Sequence, residues 1–251
     1  MSQIQPESVF SDYGIYKVID NLELSLPDIT IKIDKIGDHV FSYVRKDAED
    51  NIVKKIIPTK SDDLTIELSP IRPLNYPAKR TSYVYLDFET PLFLSEGSAV
   101  TVFVRCPIEI GVFLVHDEHK DSLDCFTCDP NNSRFCLYGD PESGNLCKYA
   151  LSEIVESYDD SIPFLNGVLK IDIKNDLDKG LTLSKIVFPI TGNSIYYKNS
   201  KAIIDSLSAI MKKKLTIEII DVTSDKIQTD WIMSPTFEQI ESIKHMDMGV
   251  D

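Results

Sequence analysis

Apolar and polar residues alternate with a period of two along most of this chain, the signature of half-buried β-strands. Residues 29–34 (Ile29-Thr30-Ile31-Lys32-Ile33-Asp34) show it clearly. A turn at Gly37-Asp38 leads into 39–45, and the polar stretch 46–51 marks a second turn before 52–57 and 64–68. These spacings predict antiparallel hairpins in a meander.

Three prolines, Pro70, Pro73 and Pro77, keep 69–80 extended or looped. In the strand that follows, Val84, Leu86 and Phe88 point one way, and Tyr83, Tyr85, Asp87 and Glu89 the other. Residues 99–105 and 108–115 are nearly continuous apolar runs, as in strands covered on both faces. Residues 117–133 read as a long polar loop. A hairpin is predicted at 135–138 and 145–150, turning through 139–144. Further strands are predicted at 167–174, 181–188, 194–198 and 215–220. Residues 200–214 fit a helix or one arm of a hairpin, with the surrounding pattern favouring strand. Ser234, Pro235 and the stripe Phe237, Ile240, Ile243, Met246 predict a C-terminal helix over 234–247.

The fold class is therefore all-β: an antiparallel β-sandwich or jelly-roll-like assembly with one C-terminal helix. The expected organisation is a flexible N-terminus, 1–9, and a single β-rich domain, 10–251. The acidic segment within 152–165 is the candidate internal boundary.

Charge narrows the partners. Forty Asp and Glu against 26 Lys and Arg give a formal net charge of -14 over 251 residues. A nucleic-acid backbone or an anionic membrane surface would meet net repulsion. Lys54-Lys55 and Lys212-Lys213-Lys214 are short basic runs with carboxylates nearby. No run of apolar residues is long enough for a spanning helix. With no secretory leader pattern and five cysteines, an odd number, reduced thiols and a cytoplasmic location are expected.

The cysteines carry the one constellation with site-like spacing. Cys125 and Cys128 form a C-x2-C pair, followed by Cys136 and Cys147. If Tyr138 faces Asn145 across the 139–144 turn, Cys136 falls directly opposite Cys147. Cross-strand β-carbons lie about 4.5–5.5 Å apart, close enough for two thiolates to share a tetrahedral zinc. A structural zinc held by Cys125, Cys128, Cys136 and Cys147 is one reading; buried thiols acting as small hydrophobes are the other. His116 and His119 could replace one thiolate, although a histidine at a strand end is more often solvated or hydrogen-bonded. Cys106, in phase with Val100, Val102 and Val104, reads as a core thiol.

The carboxylate pairs Asp87 with Glu89 and Asp159 with Asp160 fit solvated faces better than acid–base chemistry. Glu109 lies among apolar residues and is either a buried functional carboxylate, an edge residue or a partner of Arg105. There is no nucleophile elbow, phosphate-binding loop, dinucleotide fingerprint or H-E-x-x-H motif.

Seven segments together resemble an uncharacterised, chiefly archaeal family of β-rich proteins, a domain of unknown function. They are Tyr13-Gly14, Tyr43-Val44-Arg45, Pro70-Ile71-Arg72-Pro73-Leu74, Pro107-Ile108-Glu109-Ile110-Gly111-Val112, Leu137-Tyr138-Gly139, Cys147-Lys148-Tyr149 and Ile186-Val187-Phe188-Pro189. They follow in order across most of the chain, and the resemblance implies no activity or cofactor. Two functional readings follow from the residues. One is a non-enzymatic β-domain that binds a partner protein or a small ligand, with a local structural zinc. The alternative is a metal-dependent enzyme using the 116–128 loop.

Overall fold

The computed structural model describes residues 10–74, 80–117, 119–129 and 134–238. The expected flexible stretch 1–9 lies outside them. In chain order the first strands are β1 (Gly14–Val18), β2 (Asn21–Leu26), β3 (Ile29–Gly37), β4 (Val40–Asp47), β5 (Ile52–Pro58) and β6 (Leu64–Ile71). Next come β7 (Tyr83–Leu94), β8 (Ala99–Pro107), β9 (Glu109–His116), β10 (His119–Phe126), β11 (Phe135–Tyr138), β12 (Asn145–Ser152) and β13 (Ile154–Val155). After a 3-10 turn at Tyr158–Asp160 follow β14 (Asn166–Asn175), β15 (Leu181–Pro189), β16 (Ile195–Lys198), β17 (Lys201–Lys214), β18 (Ile217–Asp225) and β19 (Ile232–Met233).

They form four sheets. The first is the predicted meander, β2-β3-β4-β5; the second runs β1-β6-β9-β10; the third runs β11-β12-β7-β15. The fourth runs β13-β8-β14-β17-β16-β19, with β18 also paired to β17. Pairing is antiparallel except between β7 and β12 and between β14 and β17. The all-β class is as read from the sequence.

Alternation explains the packing. Ile29, Ile31 and Ile33 are buried while Lys32 and Asp34 face water, and Val84, Leu86 and Phe88 are buried beneath Tyr83, Tyr85 and Asp87. One apolar core draws on all four sheets, including Ile31, Val112, Leu86 and Ile204. Buried carboxylates join the sheets where an unpaired charge would be costly. Asp124 of β10 accepts hydrogen bonds from Tyr43 Oη at 2.9 Å and Arg45 Nε at 2.8 Å, tying the second sheet to the first. Glu67 of β6 accepts from Tyr197 Oη of β16 at 3.1 Å and meets Lys120 Nζ at 2.5 Å.

Two local expectations change, and the favoured strand reading of 200–214 holds over 201–214. The expected loop over 117–133 gives way to a strand: a tight turn at Asp117 (φ 52°) sends the chain straight back as β10, paired with β9, while 118 and 130–133 lie outside the described residues. The strand hides in the sequence because a bulge between Ser122 and Asp124 shifts its period, and because Lys120 and Asp121 on this edge face water. No helical turn forms over 234–238: Ser234 Oγ donates to Pro70 O, and the Phe237 ring packs 5.6 Å from that of Phe113. These tertiary contacts hold the segment extended against its local helix signals, and the remainder of the expected helix, 239–247, lies outside the described residues. Residues 201–214 are strand, with both edges of β17 paired. Among the described residues no helix is long and apolar enough to cross a membrane.

Candidate ligand-binding face

The third sheet has one face in the core and one towards solvent. Parallel pairing sets Cys147 beside Tyr83, Tyr149 beside Tyr85 and Leu151 beside Asp87. The β11–β12 hairpin adds Cys136 opposite Cys147. Tyr85 stands 5.7 Å from Tyr149 and 6.1 Å from Tyr138, ring centre to ring centre. Lys185 Nζ sits 5.7 Å above the Tyr85 ring, and Tyr149 Oη donates to Asp87 Oδ2 at 2.9 Å. Three tyrosines thus share one partly exposed platform, with Tyr138 43% exposed.

The platform runs into a cleft of about 350 Å³, within the usual range for small-molecule sites. Arg105, Arg134, Tyr149, Glu89, Asp129 and Asn166 are among its lining residues, with Leu151, Ile162 and Leu165 supplying apolar surface. Arg105 is positioned from three sides. Its guanidinium pairs with Glu153, its Nε donates to Asp160 O at 3.0 Å, and its backbone N–H donates to Glu153 O at 3.0 Å. Arg134 is placed by a sheet bond: Tyr149 N donates to Arg134 O at 3.1 Å.

The 3-10 turn behind Arg105 is fastened by its own cap. Ser157 Oγ accepts from Asp159 N at 3.2 Å, and Asp160 Oδ2 accepts from Ser157 N at 2.9 Å and Glu156 N at 3.1 Å. The Ser157 bond, with that from Glu156, holds the Asp160 carboxyl below its ordinary value. A depressed folded-state value contributes stability that is present above the unfolded value, about 3.9. That contribution is lost as pH falls through the folded value. An NMR titration should place the Asp160 midpoint below 3.9, and Asp160→Asn should remove this part of the acid dependence. A midpoint at or above 3.9 would contradict the cap.

Behind the platform lies a buried ion pair. Lys148 is fully buried on the core side of β12, with Nζ 4.0 Å from Glu109 Oε1 and 5.0 Å from the centre of the Phe135 ring. Burial pushes the Lys148 ammonium down, opposed by the charges of Glu109 and Asp129. Asp129 also lines the cleft, so one cleft carboxylate acts on Lys148. Glu109 is therefore neither an edge residue nor the partner of Arg105. Lys148 lies beyond local sequence reading, because β12 reaches this position by pairing with a strand some sixty residues earlier.

The other expected site residues are placed as follows. Cys136 and Cys147 face one another, as the turn arithmetic predicts. Cys125 packs with Ile71, Phe113 and Phe237, whereas Cys128 belongs to the main core. Burial, with Glu109 and Asp124 nearby, pushes the Cys125 thiol up to about 12, and burial with Asp28 does the same for Cys128. Burial, then Cys136, raises Cys147 to about 11. Among the described residues no three or more His, Cys, Asp or Glu side chains gather as a metal site. His116 and His119 pair across the β9–β10 turn, and Asp159 pairs with Lys201 at 3.0 Å.

The model of the family described as "Protein of unknown function (DUF432)" matches residues 12–246, nearly the whole chain. The chain belongs to the DUF432 family. No curated protein and no solved structure matches it. Both Tyr149 and Lys148 of this DUF432 chain fall inside the matched span, as do Arg105 and Arg134.

Proposed function

We propose that this protein is a non-enzymatic β-domain that binds a small polyhydroxylated ligand of saccharide chemistry. The ring face lies on the tyrosine platform, and the hydroxyl edge is held in the adjoining cleft. The observation that carries the reading is Tyr149, which belongs to both the ring cluster and the cleft. A pyranose offers an apolar face to an aromatic ring and needs donors and acceptors in one plane around it. Arg105, Arg134 and Asn166 supply donors here, and Glu89 and Asp129 supply acceptors.

A nucleic acid would also stack on tyrosines, but a net charge of -14 and a cleft carrying three carboxylates disfavour phosphates. Glu153 of the cleft is engaged by Arg105 and Asp87 of the platform by Tyr149, so these two carboxylates position donors.

The test is calorimetric titration against a panel of neutral and amino mono- to tetrasaccharides. At least one is expected to bind, and Tyr149→Ala should weaken it about tenfold or more, since ring stacking typically contributes about 1–3 kcal/mol. Tyr149→Phe should retain most of the stacking. No binding anywhere in the panel, or equal binding by Tyr149→Ala, would overturn the proposal.

A further inference from the structure

Cys136 and Cys147 are the two thiols that the fold places in direct register, and both are free. The register is well fixed. Gly139 holds φ at 106°, and at Gly144 an added β-carbon would come within 2.5 Å of Asp140 O. Both turn positions thus demand glycine, so the hairpin cannot slip without losing its turn. The bond from Tyr149 N to Arg134 O marks 134 and 149 as a hydrogen-bonded pair. Two residues along, Cys136 and Cys147 form a pair of the same kind, with α-carbons about 5.5 Å apart.

That spacing lies within the bridging range for a disulfide, about 4.4–6.8 Å. Cys136 is partly exposed on the solvent side of the sheet, and Cys147 is buried beside it. We infer that Cys136 and Cys147 are a reversible oxidation site, closed to an intramolecular disulfide by a low-molecular-weight disulfide such as oxidised glutathione. The inference stands independently of the saccharide reading.

The chemistry balances in two exchanges. The Cys136 thiolate attacks one sulfur of oxidised glutathione. The S–S bond of glutathione breaks, and the first glutathione leaves and takes up the proton that Cys136 lost. The Cys147 thiolate then attacks the Cys136 sulfur and expels the second glutathione, which takes the proton from Cys147. Two protein thiols lose two electrons, and one glutathione disulfide becomes two thiols.

The test uses the full-length protein, incubated with oxidised glutathione, alkylated, unfolded and mapped by peptide mass. Two of the five thiols should be lost, joined as one Cys136–Cys147 peptide, and dithiothreitol should restore both. Cys147→Ser should trap glutathione on Cys136, and Cys136→Ser should leave Cys147 unmodified. The wild-type map decides the matter even if a variant fails to fold. Five alkylated thiols after oxidation, or a bridge involving Cys106, Cys125 or Cys128, would overturn the inference.

Discussion

Lys148→Met is expected to destabilise the fold by about 3–5 kcal/mol, the usual cost of removing one member of a buried charge pair. The ammonium lies 4.0 Å from Glu109, and both residues are fully buried. Removing Lys148 takes away one countercharge while Glu109 stays in the interior. The loss is a large share of the 5–15 kcal/mol that holds a typical domain together. Replacing both, as Lys148→Met with Glu109→Gln, should cost clearly less than the sum of the single changes, because neither then strands a charge. Urea unfolding of the four proteins measures this directly. A single-variant loss below about 1 kcal/mol, or strict additivity, would show that the pair is not coupled.

Asp205→Ala should be of similar size, about 3–5 kcal/mol, by a different route. This fully buried carboxylate accepts from Ser194 N at 2.6 Å, Tyr196 Oη at 3.2 Å and Ile227 N at 3.3 Å, and pairs with Lys226 Nζ at 2.7 Å. It therefore ties β17 to the turn before β16 and to the segment after β18. Removing it leaves two backbone N–H groups without their acceptor. Lys226 is 63% exposed and Asp205 keeps its three other donors without it, so Lys226→Met should cost clearly less than Asp205→Ala. The contrast separates the two causes: if Lys226→Met matched Asp205→Ala, the ion pair rather than the backbone bonds would be what matters. Thermal or urea unfolding of both variants distinguishes the cases.

Much of the fold is legible where a strand keeps strict phase. The alternation at 29–34 and 83–89 gives both the strands and their buried faces, and the 139–144 turn gives the Cys136–Cys147 register by counting outward from Tyr138 and Asn145. Phase also fails in identifiable places. The bulge at Ser122/Asp124 and the outward-facing Lys120 and Asp121 make β10 read as loop. Tertiary contacts from Pro70 and Phe113 hold 234–238 extended despite its capping residues.

The candidate site was half visible. Tyr83, Tyr85, Asp87 and Glu89 already share a polar face in the sequence, but their neighbours do not appear there. Tyr149 and Arg134 join that face only through the parallel pairing of β12 with β7, a long-range contact with no local signature. Lys148 is the sharper case: in a half-exposed strand its charge would point to water, yet the pairing turns it into the core towards Glu109.

On the proposed function, the solvent face of the third sheet is where this protein takes its ligand. Backbone amide shifts, followed by NMR as the tightest-binding saccharide of the panel is added, test it most directly. Shifts concentrated at Tyr85, Arg134, Tyr149 and Asn166 are the expected result. Shifts confined to the turn at His116–His119, or to any surface away from that sheet, would contradict it.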